Sequence, residues 1–308
     1  MALSRRIMEI VPREEPLLKR YKILVWGPSY SSAMALDTKN NSVVFINIAT
    51  RECRMTKVRK EKNILLKLTS DKTNKFFQHT HIGLPEILDY KTVRQRTASA
   101  SGETVNYLVL KNAGKSLEIL HDQEKMTFTI SEMSKLAVHL IDILEYVHHT
   151  GLIHGDIHAR NVVVAGDLRT DDYRITLIEF KNGGRYKRGE DHIAEIYLDR
   201  DENSYRSYCS SNIYGLTQSR KHDLEMVGLM LIELRGGRLP CRQAKVKKGT
   251  RKERLAIMET SRFTMLKDSC KRRKLPNVFY KFVEYCQHLH FDQDPDYTRW
   301  RSKFLELV

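Results

Sequence analysis

The spacing of apolar residues changes character near residue 114 and divides the chain into a strand-rich part and a helical part. Ile23 to Trp26 is a short apolar run ended by Gly27-Pro28, and Ser42 to Ile48 is a second run rich in β-branched residues; both predict strands. Thr38 to Asn41 reads as a turn between strands. From Thr56 to Leu68 the pattern becomes helical, with Val58, Leu65 and Leu68 on one side. Tyr107 to Leu110 returns to strand, and Gly114 breaks it. Beyond that point Thr129 and Glu132 have the spacing of a capping box, in which a hydroxyl and a carboxylate each satisfy an orphan helix amide. The helix they open carries Met133, Leu136, Ala137, Leu140, Ile141, Leu144 and Val147 at i, i+3, i+4 intervals. Strands are predicted at Val162–Val164 and Ile175–Ile178, on either side of a polar turn from Gly166 to Tyr173. A long apolar helix follows from about Asp223 to Leu234, stopped by Gly236-Gly237, with two more near Val278–Leu289 and Tyr297–Leu307.

With 308 residues, 41% hydrophobic and 30% charged, the chain suits one large or two coupled domains with a full-sized core. No apolar run approaches the roughly 18 residues of a membrane span. Met1 to Arg13 is basic and lacks the ~7–15-residue apolar centre of a secretory signal. Cys53, Cys209, Cys241, Cys270 and Cys286 are odd in number and form no C-x-x-C pair, so we read them as reduced thiols of an intracellular protein, nuclear or cytoplasmic. The formal net charge of +15 favours anionic partners such as nucleic acid, acidic proteins or phosphorylated peptides; a solvated, solubilising surface is the plain alternative. The densest basic runs are Arg242 to Arg254 and Lys271 to Lys274, and neither has interleaved aromatics for base stacking.

The candidate chemistry lies where the capped helix ends. Leu152 to Val164 contains His154, Asp156 and Asn161 in the H-x-D-[ILV]-x-x-x-N spacing of a phosphotransferase catalytic loop, followed by a short apolar strand. Such a reaction needs a carboxylate to accept the attacking hydroxyl's proton, where Asp156 stands. It also needs a metal-ligating carbonyl oxygen, where Asn161 stands. Taken alone, the stretch is also compatible with an Asp in an ordinary turn between a helix and a strand.

Four further stretches extend the match. Leu108 to Leu117 is similar to a kinase hinge, Tyr186 to His192 to the segment after a metal-binding turn, and Phe291 to Arg301 to a closing helix start. Tyr208 to Glu225 carries Ser210 and Asn212, then Gln218-Ser219-Arg220 and Asp223-Leu224-Glu225. On these residues the chain resembles the casein kinase I superfamily and, within it, the vaccinia-related kinase branch, over about residues 20–305. The resemblance implies an α+β, bilobal protein kinase-like fold: an extension over 1–20, a small strand-rich N-lobe over 21–113 and a helical C-lobe over 114–308. It implies ATP and Mg2+ as cofactors of an active member, a protein substrate or partner, and a monomer. It places Gly27, Asn47, Glu61, Leu110 (the gatekeeper) and Ala113 at nucleotide positions. Asn161 and Glu179 fall at metal positions, and His154 and Asp223 at structural ones. Asp223 would hold the catalytic-loop backbone, although an acid at a helix start also has a plain dipole reading. Arg220 and Lys221 fall on a stretch that in the superfamily meets acidic or phosphorylated peptides; surface charge is the alternative.

Several catalytic positions depart from the pattern. In the glycine-rich turn only Gly27 falls on a family glycine; Pro28 lacks an amide, and Ser29, Tyr30 and Ser32 carry side chains where bare backbone should approach phosphates. Asn47 replaces the lysine that grips phosphates; it is uncharged and short. Glu61, that lysine's partner, is left to pair with Lys57 or an arginine, or to be a surface acid. Glu179-Phe180-Lys181 replaces D-[FY]-G, lengthening the metal-seating carboxylate and removing the glycine that gives the turn its freedom. The added Lys181 charge would sit beside the metal site, where an ammonium can partly stand in for a metal. His158 replaces a lysine that touches the transferred phosphate, and is mostly neutral at pH 7 unless perturbed. Three functional classes follow: a pseudokinase acting as a binding module, a serine/threonine kinase with a rearranged nucleotide site, and a nucleic-acid-associated protein acting through its basic surface.

Overall fold

The computed structural model describes residues 20–27, 32–49, 52–70, 83–94, 104–198, 215–236 and 266–308. Expectations for Pro28–Ser31, for Ser210 and Asn212, and for the basic run 242–254 lie outside them. The described residues fall into two compact units divided between Ala113 and Gly114, with Gly83 and Leu84 belonging to the second. The fold is α+β, with a strand-rich first unit and a mainly helical second.

The first unit is an antiparallel sheet of five strands in the order β1-β2-β3-β5-β4: β1 (Tyr21–Trp26), β2 (Ser32–Asp37), β3 (Ser42–Ala49), β4 (Ile87–Arg94) and β5 (Thr104–Lys111). One sheet face buries Tyr21, Ala35, Val44, Ile46, Ile48, Val105, Tyr107 and Val109. Helix α1 (Glu52–Ser70) packs against the sheet and buries Val58, Leu65 and Leu68, the side that its spacing predicts. The turn at Thr38–Asn41 closes β2 onto β3, with Asn41 at φ 57°, a left-handed conformation that asparagine tolerates.

The second unit is built on α2 (Ile130–His149), opened by the predicted box: the Glu132 amide donates to the Thr129 hydroxyl at 3.2 Å, and the Thr129 amide to the Glu132 carboxylate at 2.7 Å. A short pair, β6 (Lys115–Ser116), and one turn of π-helix at Ile119–Gln123 precede it. Strand β7 (Leu152–Ile153) follows α2 directly; then come β8 (Val162–Gly166) and β9 (Tyr173–Leu177), whose ladder runs out to the pair Gly166–Tyr173. A single 3-10 turn, Phe180–Asn182, leads into the short strands β10 (Gly184–Arg185), β11 (Lys187–Arg188) and β12 (Asp191–His192). Helix α3 (Arg220–Leu234) starts one turn earlier than its apolar pattern predicts, where the Ser219 amide donates to the His222 ring. It is buried on nearly every side, which is why its apolar residues show no single face. Helices α4 (Asn277–His288) and α5 (Tyr297–Leu305) close the unit through an aromatic cluster of Phe279, Phe282, Trp300 and Phe304. Gly228 of α3 permits the approach of α4: a Cβ there would lie 2.6 Å from Val283. Cys270 and Cys286 are buried free thiols. Among the described residues, no helix is long and apolar enough to cross a membrane.

Candidate active-site residues

The loop from β7 to β8 is held by a carboxylate that reaches it from α3. Asp223 is fully buried; its Oδ2 accepts from the His154 amide at 2.8 Å and its Oδ1 from the Gly155 amide at 2.8 Å. Oδ2 also meets His148 Nε2 at 2.9 Å, while His148 Nδ1 meets the Tyr297 hydroxyl at 2.7 Å. Burial keeps His148 neutral at ordinary pH despite Asp223, so Nε2–H donates to the carboxylate and Nδ1 accepts from tyrosine. Burial alone would raise the Asp223 carboxyl; His148, His154 and the Gly155 amide hold it below the usual carboxylate range. Gly155 takes a positive φ of 77°, the backbone conformation that turns its amide to Asp223.

His154 links this loop to the end of β9. Its Nε2 bonds the Ile178 carbonyl at 2.9 Å and must therefore donate, leaving Nδ1 to accept from the Asp156 amide at 3.2 Å. The ring meets Phe180 edge-on at 4.6 Å. Asn161 Nδ2 donates to the Asp156 carbonyl at 2.9 Å, closing the loop on itself.

Asp156 is buried, and its carboxylate is already occupied. Asn182 Nδ2 donates to Oδ2 at 2.8 Å, while Oδ1 is shielded from solvent and lies 3.7 Å from His158 Nε2. Burial raises the carboxyl, but His158, His154 and Asn182 outweigh it and hold the group below its ordinary range, so it is ionised at neutral pH. A hydroxyl that is to give up its proton must come within about 2.6–3.2 Å of an acceptor oxygen. Asn182 thus engages one lone pair of Oδ2, and the side chain keeps 12% of its surface exposed. Asn182 carries no sequence signal for this role; the contact spans 26 residues and rests on the turn after Glu179.

That turn corrects the expectation for position 181. The left-handed residue is Glu179 itself, at φ 69°, and Phe180–Asn182 continue as a 3-10 turn. Position 181 therefore needs none of the freedom of a glycine. Lys181 Nζ pairs with Glu179 Oε2, placing an ammonium on the carboxylate that would seat a metal. The residues at the metal positions do not fit magnesium as arranged. The Glu179 carboxylate holds a cation of its own chain.

Within the first unit Asn47 and Glu61 meet directly. Asn47 Nδ2 donates to Glu61 Oε2 at 3.0 Å, and Glu61 is fully buried. Of the alternatives for Glu61, its burial excludes the surface acid; the Asn47 amide is long enough to reach it from the sheet, although it brings no charge. Gly27 bonds the Ser32 carbonyl across the turn at 2.9 Å, and a Cβ there would lie 2.5 Å from the Ser32 hydroxyl oxygen. Leu110 is buried in β5, and Ala113 ends the unit.

Arg220 and Lys221 do not present free cations to a groove. Arg220 is 8% exposed; it pairs with Asp294, donates to the Asp292 carbonyl at 2.6 Å and lies over the Tyr186 ring. Lys221 donates to the carbonyls of Leu289 at 2.5 Å and Gln287 at 3.2 Å, the C-terminal end of α4. Both tie α3 to the segment around α4. Lys271 to Lys274, by contrast, are exposed.

The chain is similar to a probable casein kinase I homolog of Encephalitozoon cuniculi, with 32% identity over 203 residues; the match covers 64% of this chain and 64% of that relative's length. The family model for the protein kinase domain matches residues 40–298, which include Asn47, Glu61, the Asp156 loop, Glu179 and Asp223. This match spans most of the chain, and the chain belongs to the protein kinase domain family.

Proposed function

We propose that this chain is a binding or regulatory module of the casein kinase I type, on its vaccinia-related branch, with phosphotransfer lost or strongly reduced. The observation that carries the reading is Asn47: where a phosphate-gripping ammonium belongs, the chain has a neutral amide bonded to Glu61. Losing one charge-stabilising donor at a reacting oxyanion costs roughly 10²–10³ in rate. A misplaced metal ligand at Glu179 adds about 10². Together the losses come to the order of 10⁴–10⁵, although such effects are not strictly additive. Against an ordinary kinase turnover of ~1–100 per second, what remains is very slow. The Lys181–Glu179 pair points the same way.

Protein kinase domains as a class use ATP and Mg2+; the residues here argue for weak binding of both. The partner under this reading is a protein, acidic or phosphorylated, drawn by the +15 charge. The rival reading, an active serine/threonine kinase, is favoured by the ionised Asp156 and by the loop that Asp223 and His154 hold in place. Thermal shift with millimolar Mg-ATP separates the two. A ligand at 100 times its Kd stabilises by about 2.7 kcal/mol. We expect no such shift. Labelled phosphate incorporation that disappears in Asp156→Ala would refute the pseudokinase reading.

A further inference from the structure

The sheet of the first unit has one face in its core and another that carries Asn47. On that second face the register aligns a row of directly opposed residues across five strands: Val25 with Met34, Met34 with Phe45, Phe45 with Leu110, and Leu110 with Ile87. The next row on the same face is Ser32, Asn47, Leu108 and Tyr90. An apolar row thus lies beside the row that holds the Asn47–Glu61 bond. Phe45 stands at its centre, two residues from Asn47, about 7 Å along the strand. Phe45 is only half-buried, and Met34 and Val25 are 40% and 61% exposed, so this strip is not filled by the unit's own core.

Reading Gly27, Asn47, Leu110 and Ala113 as nucleotide-facing positions has a geometric consequence. A nucleotide whose phosphates lie at Asn47 and whose base lies toward Leu110 and Ala113 must cross the sheet face over Phe45. Side chains on a strand stand roughly perpendicular to the sheet. A flat base packs about 3.5–4 Å above the atoms beneath it, and a phenyl ring rising from β3 takes that space. We propose that Phe45 occupies the place of the nucleobase and makes this face reject adenine nucleotides by shape, independently of the charge defects at Asn47 and Glu179. The inference rests on the proposed pseudokinase reading and adds a second, separable cause.

Adenosine is the discriminating probe, because it has a base and no phosphate or metal to bind. Its affinity is measured by calorimetry for the full chain and for Phe45→Ala and Phe45→Val. The expected result is at least a tenfold gain in both variants, within the range that one or a few methylene-sized changes in an apolar pocket produce, about 10–200-fold. Equal affinity in the unaltered chain and the variants would overturn the proposal. Should the variants lose their fold, the unaltered chain still decides. If the base is excluded, ATP binds no more tightly than inorganic tripolyphosphate; tenfold tighter binding of ATP would refute the exclusion. Phosphate transfer dependent on Asp156 is scored separately and bears on the pseudokinase reading, whereas adenosine affinity bears on Phe45.

Discussion

Acidification should loosen the helix that carries Asp223, and His222 is the group responsible. Its Nδ1 accepts from the Ser219 amide at 2.9 Å, capping α3, and the residue is 2% exposed. Burial pushes its pKa down to about 4; Glu225 and Asp223 oppose the shift and Lys221 adds to it. The positive end of the helix dipole also disfavours a cation there. In the unfolded chain the ring titrates near ~6.5. Between these values the unfolded state binds more protons, so the stability contributed by neutral His222 is complete above about pH 6.5 and is lost as pH falls toward about 4. Linkage puts the loss at about 2 kcal/mol between about pH 7.5 and about pH 5. That corresponds to a Tm decrease of roughly 4–8 °C for a unit of this size. His148 and His154, also held neutral by burial, act in the same direction. The assay is thermal unfolding followed by circular dichroism across this range, for the unaltered chain and for His222→Gln. Glutamine keeps an acceptor for the Ser219 amide and takes up no proton. Across this range the variant should lose about 2 kcal/mol less stability than the unaltered chain. Parallel curves for the two proteins would refute the reasoning, because the cap would then be indifferent to the charge on His222.

Three further outcomes are expected. Asn47→Lys with Glu179→Asp should raise Mg-ATP affinity in a calorimetric titration, and the gain should be larger when Phe45→Ala is added; no gain in the triple variant would locate the block elsewhere. Lys181→Gly should free the Glu179 carboxylate and allow Mn2+ binding that electron paramagnetic resonance detects, whereas the unaltered chain should show none. Asp223→Asn turns an amide donor toward one of two loop N–H donors and leaves buried groups unpaired, at a cost of about 1–3 kcal/mol or more. Hydrogen exchange at His154 and Gly155 should accelerate in that variant, and unchanged protection would show that Asp223 does not hold the loop.

What could be read from the chain was what depends on neighbours in sequence. The capping box of α2, the apolar side of α1 and the break at Gly114 all rest on contacts within a few residues, and their spacing reveals them. Strands β2 and β4 were not legible. In β2 the buried positions are Ala33, Ala35 and Asp37, small or charged residues that give no apolar alternation. In β4 the run Ile87–Arg94 is mostly polar. The site divides in the same way. Asp156 and Asn161 are marked by spacing, because one loop contains both. Asn182 on Asp156, His148 and Tyr297 behind Asp223, and Phe45 opposite Leu110 depend on register or on packing between distant segments.

The departures at Asn47, Glu179 and Lys181 look independent in sequence, yet they compensate locally. Glu61 is fully buried, where a carboxylate needs hydrogen-bond partners. Asn47 supplies a hydrogen bond to that acid without a charge, so α1 keeps its anchor to the sheet. The Glu179 carboxylate is largely buried, and Lys181 pairs with it from within the same turn. Both contacts give these acids a partner from within the chain. Under the proposed binding-module reading, such internal partners keep the site's shape without a ligand, and phosphate transfer that depends on Asp156 would refute that reading.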